Sequence, residues 1–332
     1  MALRVALLAI LALGALLSVV APLATYSVTL AAFGLPHVLT ELRYVDQRYA
    51  SRAPRLVLVS WALLLGAVVA GRTLVFAGAL DRRVEVGAEL FVIAALAYTT
   101  WGLPAGRPAL ARVAAAIAAS ALVIGATLAP ATTIVSLAVL HNLTPLGFFA
   151  EVLRPRDLAL AAVALLGTPL VIATGVPTEL LVRALSAGAA VDPLDVAPLS
   201  SHLAVYVPTG LQQAGYAEDL FRAAVYGQWA HYVAVIGVLP LLARPADAAA
   251  AIAPWPRSWA FAAAVTAVTL PLFAAFASDF SQARSMYGFV AAVHAWIEVP
   301  VLLWVIGGAS GTDPAPSHPI DALEPCSYRT RR

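Results

Sequence analysis

Long apolar runs, separated by short polar stretches, occupy most of the chain between residues 5 and 306. The runs are apolar on every face, which is typical of helices surrounded by lipid and not of strands with two alternating faces. About 20 helical residues cross the hydrocarbon core of a bilayer. The pattern therefore predicts an all-α, polytopic transmembrane helix bundle of about nine helices. The apolar segments are roughly 5–33, 56–79, 87–104, 112–129, 131–150, 158–177, 227–243, 258–278 and 286–306.

The first apolar segment is too long for a single upright crossing. As one helix, residues 5–39 would span about 50 Å at 1.5 Å per residue, against a core of about 30 Å. Either Pro22 or the Gly34-Leu35-Pro36 step is expected to divide the segment, so that it crosses once or twice. Residues 1–24 also resemble a signal peptide, but their apolar stretch is long for one, which favours a retained first helix.

Loop arginines predict the orientation, because cytoplasmic loops carry an excess of basic residues. Residues 43–55 hold four arginines, and further arginines recur in alternate loops and at the end of the chain. The C-terminus is therefore expected in the cytoplasm, and the location is expected to be a bacterial inner membrane. Residues 1–306 are expected to form a single membrane domain with an outer excursion of loops and short helices at 178–226. Residues 307–332 are predicted to be a disordered cytoplasmic tail.

The amino-acid composition agrees with a protein surrounded by lipid, and it excludes several classes of function for this chain. The chain is 61% hydrophobic and 11% charged, whereas a soluble domain carries roughly 25% charged residues. A net charge of +2, with no arginine-rich stripe inside a helix, gives no reason to expect nucleic-acid binding. Cys326 is the only cysteine, which excludes intramolecular disulfides and cysteine metal clusters. No nucleophile-elbow or phosphate-loop motif supports a hydrolase or a nucleotide-binding protein.

Four histidines lie within or at the ends of the apolar segments, where an ionisable group is costly unless it is paired or hydrated. They are His37, His141, His231 and His294. Residues four apart share one face of a helix, so His37 with Glu41, and His294 with Glu298, can each point to one place. Glu298 lies near the middle of its segment and is expected to be protonated, paired with a histidine or bound to a cation.

The four histidines and Glu298 are predicted to be metal ligands, and Glu41 and Glu298 are candidate catalytic carboxylates. His37 and His231 are the weaker candidates, because the predicted segments place them towards opposite membrane faces. Nitrogen and oxygen ligands without thiolate suit iron, manganese or zinc, and a histidine–carboxylate mixture favours non-haem iron or a two-metal centre. The expected partners are membrane lipid and a lipophilic small-molecule substrate; the sequence does not indicate an oligomeric state.

The segment Phe33-Gly34-Leu35-Pro36-His37 resembles the start of the Brp/Blh family of membrane β-carotene dioxygenases. The resemblance implies an iron held by histidines, with His37 as a ligand, and oxidative cleavage of carotene. After the motif the chain departs from the family, since Val38 to Glu41 stand where the family has small residues and an aspartate. The family's later pair of histidines, four residues apart, is not found.

These observations lead to a metal-dependent membrane oxygenase or related oxidoreductase as the first hypothesis. Two other classes stay open at this point. One is a haem b protein in which His141 and His294 hold the haem for electron transfer to quinone. The other is a proton- or cation-coupled transporter in which Glu298 and the histidines form the ion path.

Overall fold

The computed structural model describes residues 2–185, 194, 196, 198–242 and 251–308. Within these ranges the chain is helical and contains no strand. Residues 309–332, which hold most of the predicted tail, lie outside the described part, as do residues 186–193, 195 and 197 of the predicted outer excursion. The helices are α1 Ala2–Val20, α2 Pro22–Arg48, α3 Arg55–Phe76, α4 Arg82–Thr99, α5 Pro108–Leu128, α6 Pro130–His141, α7 Thr144–Val152, α8 Pro155–Ala162, α9 Thr168–Ala173, α10 Val176–Leu185, α11 Leu199–Tyr206, α12 Ala217–Tyr232, α13 Leu239–Leu242, α14 Ser258–Ser278 and α15 Phe280–Ile306.

Among the described residues, ten helical spans are long and apolar enough to cross a membrane. Three of them combine shorter pieces: α6 with α7, α8 with α9, and α12 with α13, the last two through π turns at Val163–Gly167 and Val233–Val238. The predicted all-α polytopic bundle is confirmed. The count is ten because the first apolar segment is divided between α1 and α2.

The division falls at Ala21, whose backbone leaves the helical region (φ −135°, ψ 61°) immediately before Pro22. Proline has no backbone N–H to donate and is tolerated in the first turn of a helix, where that N–H has no partner within the helix. Of the two predicted breaks, Pro22 is thus the one observed. Pro36 lies inside α2, which continues past it to Arg48.

Four spans form the interior of the bundle. Each span contains an apolar window of 18 residues. In the spans of α2, α4, α12 and α15, 50–56% of this window is buried inside the protein, whereas in the other six spans the buried share is 11–22%. α2 packs against α12, α14 and α15, and α15 also packs against α3, α4, α5 and α7. Three of the four predicted histidine ligands therefore lie on interior helices.

The fourth histidine, His141, ends α6, and the helix resumes as α7 at Thr144. Pro145 cannot donate a hydrogen bond to the carbonyl of residue 141, so the helical hydrogen-bond pattern is interrupted beside this histidine. The Thr144 hydroxyl instead donates to that carbonyl at 2.8 Å. The interruption brings the C-terminal end of an outer helix to the bundle interior.

Candidate metal centre

The six predicted site residues lie together in one buried cluster, called here the His/Glu cluster. Its members are His37 and Glu41 on α2, His141 on α6, His231 on α12, and His294 and Glu298 on α15. Five of the six are only 1–2% exposed, and the His141 side chain is 14% exposed. An uncompensated ionisable group is expensive at such burial, so the cluster requires internal partners or a bound ion.

The expectation that His37 and His231 lie towards opposite membrane faces is wrong, because their ring centroids are 5.3 Å apart. The error came from the predicted starts of two helices. α12 begins at Ala217 and not near residue 227, so His231 lies deep in its span. α2 begins at Pro22, which places His37 well inside the second span instead of at the end of the first.

Three imidazole nitrogens converge at the centre of the cluster. Nε2 of His294 lies 3.1 Å from Nε2 of His37 and 3.0 Å from Nε2 of His141. Nδ1 of His37 is 3.2 Å from the Phe33 carbonyl oxygen, to which it can donate, leaving the Nε2 lone pair free. A neutral imidazole nitrogen has a single in-plane direction, either an N–H or a lone pair. Nε2 of His294 therefore makes at most one full hydrogen bond to its two neighbours, whereas a metal ion among them accepts a lone pair from each.

The spacing of these nitrogens agrees with that of ligands on one ion. Metal–imidazole bonds are about 2.0–2.1 Å long, so two adjacent nitrogens at a right angle on one metal are about 3 Å apart. The two measured separations, 3.0 Å and 3.1 Å, have this size.

The two carboxylates take different positions around the histidines. Oε2 of Glu298 lies 2.9 Å from Nδ1 of His141, on the far side of that ring from the Nε2 that faces His294. A carboxylate on the second nitrogen of a ligand histidine fixes the ring and raises its basicity. Oε2 of Glu41 lies 3.6 Å from Nε2 of His231 and 4.0 Å from Nε2 of His294, on the side where the nitrogens converge.

Several polar atoms of the cluster have no hydrogen bond that is satisfactory in both distance and angle. They include both oxygens of Glu41 and of Glu298 and both ring nitrogens of His231. The contact between His141 and Glu298 is short, but it is not aligned as a hydrogen bond. Each unsatisfied buried polar group costs about 1–3 kcal/mol. So many in one place indicate that the cluster has a further partner.

Two overlapping sets of side chains offer ligand atoms that all lie within 4.8 Å of one another. One set consists of the four histidines; the other consists of Glu41, His141, His294 and Glu298. The protein thus contains a buried His/Glu group that can hold a metal ion. His141 and His294 belong to both sets.

A cavity of about 390 Å³ reaches the four histidines. Four tyrosines line it, namely Tyr26, Tyr206, Tyr232 and Tyr287. Tyr232 is 6% exposed, and its ring lies 4.4 Å from that of His37. The hydroxyl of Tyr206, on α11, donates to Gln228. Burial raises the pKa of Tyr206 well above its usual range, so this hydroxyl keeps its proton.

A second buried polar network near the cluster has no counterpart among the sequence predictions. Arg72 donates to Glu89 at 2.7 Å, and the indole N–H of Trp296 donates to the same carboxylate at 2.5 Å. Trp296 is two residues beyond His294 on α15. Glu85 and Glu89, four apart on α4, share a face, and that spacing was the one signal in the sequence that could have identified them.

Neither a family model, a curated protein sequence nor a solved structure matches this chain. The resemblance at Gly34 to His37 thus rests on the motif itself. His37, the residue that the motif implies as a ligand, is a member of the His/Glu cluster.

Proposed function

We propose that the protein is a membrane oxidoreductase, specifically a non-haem-iron oxygenase, that acts on a lipid-soluble substrate. One observation carries the proposal: Nε2 of His294 lies within 3.1 Å of two further imidazole nitrogens, those of His37 and His141, inside the bundle. Histidine and carboxylate donors without thiolate suit iron, and iron with open coordination positions supplies the activation of O₂ when bound.

In this proposal the four histidines bind the ion, and the two carboxylates have supporting roles, one in orienting a ligand and one in proton exchange. Glu298 keeps the His141 ring in place through its Nδ1. Glu41, 3.6 Å from Nε2 of His231 and 4.0 Å from Nε2 of His294, is the carboxylate that exchanges protons at the centre of the cluster. The tyrosine-lined cavity binds the substrate, and the surrounding helices exclude bulk water from the reacting atoms.

The geometry favours this function over the bis-histidine haem alternative. Two axial imidazoles bind opposite sides of a haem iron, so their nitrogens are about 4 Å apart. The corresponding nitrogens of His141 and His294 are 3.0 Å apart. The rings of His37 and His231 are 4.7 Å from those of His294 and His141, respectively, which leaves no gap for a porphyrin between them.

The proposed orientation has Ala2 and Ile306 on the same side of the membrane, which is supported by the even number of candidate spans, ten, in the described part of the chain. The loop between α2 and α3 lies on that same side in this topology, and the four arginines in residues 43–55 favour the cytoplasm for it. The cavity beside the histidines then opens towards the outer half of a bacterial inner membrane.

Metal analysis of the purified protein, together with its absorption spectrum, tests the proposal. We expect stoichiometric iron and no Soret band. A Soret band would instead identify a haem protein, and the absence of both iron and haem would favour the transporter.

A matched pair of variants connects the iron to the cluster. His294→Ala is expected to lose the iron. His202→Gln changes another buried histidine, on α11, that contacts the Val196 carbonyl and takes no part in the cluster, so it should keep the iron. Equal iron in both variants would place the metal elsewhere.

A further inference from the structure

The cavity beside the histidines has a basic end that the proposed oxygen chemistry does not use. Three arginines line this end: Arg72, Arg82 and Arg284. Arg82 is the first residue of its span and its side chain is 54% exposed, so this end of the cavity lies near the end of the span, whereas the histidines lie deep in the bundle. The cavity therefore leads from a cationic opening to the candidate metal centre.

The charges of two of these arginines are balanced within the protein. Arg72 pairs with Glu89 at 2.7 Å, and Arg82 pairs with Glu85 at 2.5 Å. Arg284 differs from both: its Nη1 donates to the Tyr26 hydroxyl at 3.3 Å, and no carboxylate of the described residues lies within 4.0 Å of it. The cavity thus carries one positive charge that the described residues do not balance, held in place by a buried neutral tyrosine.

We infer that the substrate is a single-chain amphiphile with one anionic headgroup, a long-chain carboxylate. Its headgroup binds Arg284, and its apolar chain extends along the cavity to the histidines. This inference rests on the proposed function, because it names the substrate class of the same site. Guanidinium is the side chain best suited to a carboxylate, since its planar N–H groups match both oxygens.

The walls of the cavity agree with an apolar chain. Between the basic end and the histidines they include Leu30, Ile134, Val135, Ala291 and Ala292. The cavity volume of about 390 Å³ lies at the small end of the range for small-molecule sites. This volume suits one acyl chain and is too small to enclose both chains of a phospholipid.

Two helices independently give the distance from the headgroup to the reacting position. His294 follows Arg284 by ten residues on α15, and His37 follows Tyr26 by eleven on α2. At 1.5 Å per residue both intervals correspond to about 15 Å along the helix axis. The histidines therefore face a carbon well beyond the headgroup.

Binding of tritiated palmitate to the purified, iron-loaded protein tests the inference, with unlabelled palmitate, methyl palmitate and phosphatidylglycerol as competitors. Palmitate should compete at least about 10-fold more strongly than its methyl ester, because only the acid carries the charge that Arg284 binds. The variant Arg284→Gln should weaken palmitate binding about 10–100-fold and leave methyl palmitate unchanged. Arg284→Lys, which keeps the charge without the planar fork, should be intermediate.

Arg83→Gln is the matched control, since Arg83 is exposed beside the same opening but does not line the cavity. It should bind palmitate as the wild type does. Wild-type palmitate binding in Arg284→Gln, or equal competition by the ester, would overturn the inference. Stronger competition by phosphatidylglycerol would replace the single-chain acid with a two-chain lipid.

Iron content, measured in every variant, separates this inference from the proposed function. If the protein binds iron but its affinity for palmitate does not depend on Arg284, the inference about the substrate is overturned and the proposed function is not. Protein without iron whose palmitate binding depends on Arg284 would support the headgroup site and overturn the oxidoreductase.

Discussion

Replacing Glu298 by glutamine removes a carboxylate at the centre of the bundle while preserving the shape of the side chain. Glu298 is 1% exposed, and its Oε2 lies 2.9 Å from Nδ1 of His141. If this contact orients a metal-ligating ring, loss of the charge should lower metal affinity about 10–100-fold. That range corresponds to about 1.4–2.8 kcal/mol of binding free energy.

The assay is a metal titration of the apo-protein, read against a chelator of known affinity, with thermal unfolding of the same sample to check the fold. Glu89→Gln is the matched control, because Glu89 is equally buried and pairs with Arg72 and Trp296 outside the cluster. It should lower the unfolding temperature without changing metal affinity. Wild-type metal affinity in folded Glu298→Gln would refute the reasoning. The double variant Glu298→Gln, His294→Ala should bind no more weakly than His294→Ala alone, since both changes disable one site.

Three further predictions follow from the fold. A cysteine at Ala50, in a variant without the native cysteine, should react with an impermeant thiol reagent only from the cytoplasmic side; reaction from outside alone would invert the orientation. Glu151→Gln removes one partner of the buried Arg48 pair (3.3 Å) and should destabilise the protein by about 3–5 kcal/mol in unfolding assays; an unchanged unfolding midpoint would contradict that role. Thr144→Val deletes the hydroxyl that satisfies the His141 carbonyl and should cost about 1 kcal/mol; a neutral result would show that the interrupted span does not depend on this bond.

The sequence was informative about local features of the site. The spacing of His37 and Glu41, and of His294 and Glu298, predicted that each carboxylate points to the same place as the histidine on its own helix. The closest contacts nevertheless run between helices, from Glu298 to His141 and from Glu41 to His231. The irregularity beside His141 also has a local cause, because Pro145, four residues later, has no N–H to donate to its carbonyl. Each of these inferences needed only one segment of the chain.

The sequence could not supply the boundaries of α12. Its first turns, Ala217 to Arg222, contain two acidic residues and an arginine, and they were assigned to the outer excursion at 178–226 and not to the membrane span. In the fold, Asp219 is bound by both Arg222 and Thr178, so its charge is balanced locally. A hydropathy profile sums the values of single residues, so it does not detect that the charges of two residues balance each other.

The convergence of four helices was a guess from the rarity of intramembrane histidines. Helix periodicity gives the direction of a side chain relative to its own helix, but not which helix lies opposite. The Arg284 end of the cavity was missed for the same reason, because its meaning depends on the cavity that joins it to the histidines.

X-ray absorption spectroscopy of the iron-loaded protein tests the central claim most directly, because it reports the atoms bound to the metal. The account predicts a first shell of nitrogen and oxygen at about 2.0–2.2 Å, with the outer-shell scattering of at least three imidazole rings. This scattering should fall by one ring in His37→Ala. A shell of oxygen alone, or a porphyrin pattern, would contradict the assignment of the His/Glu cluster as a non-haem metal centre.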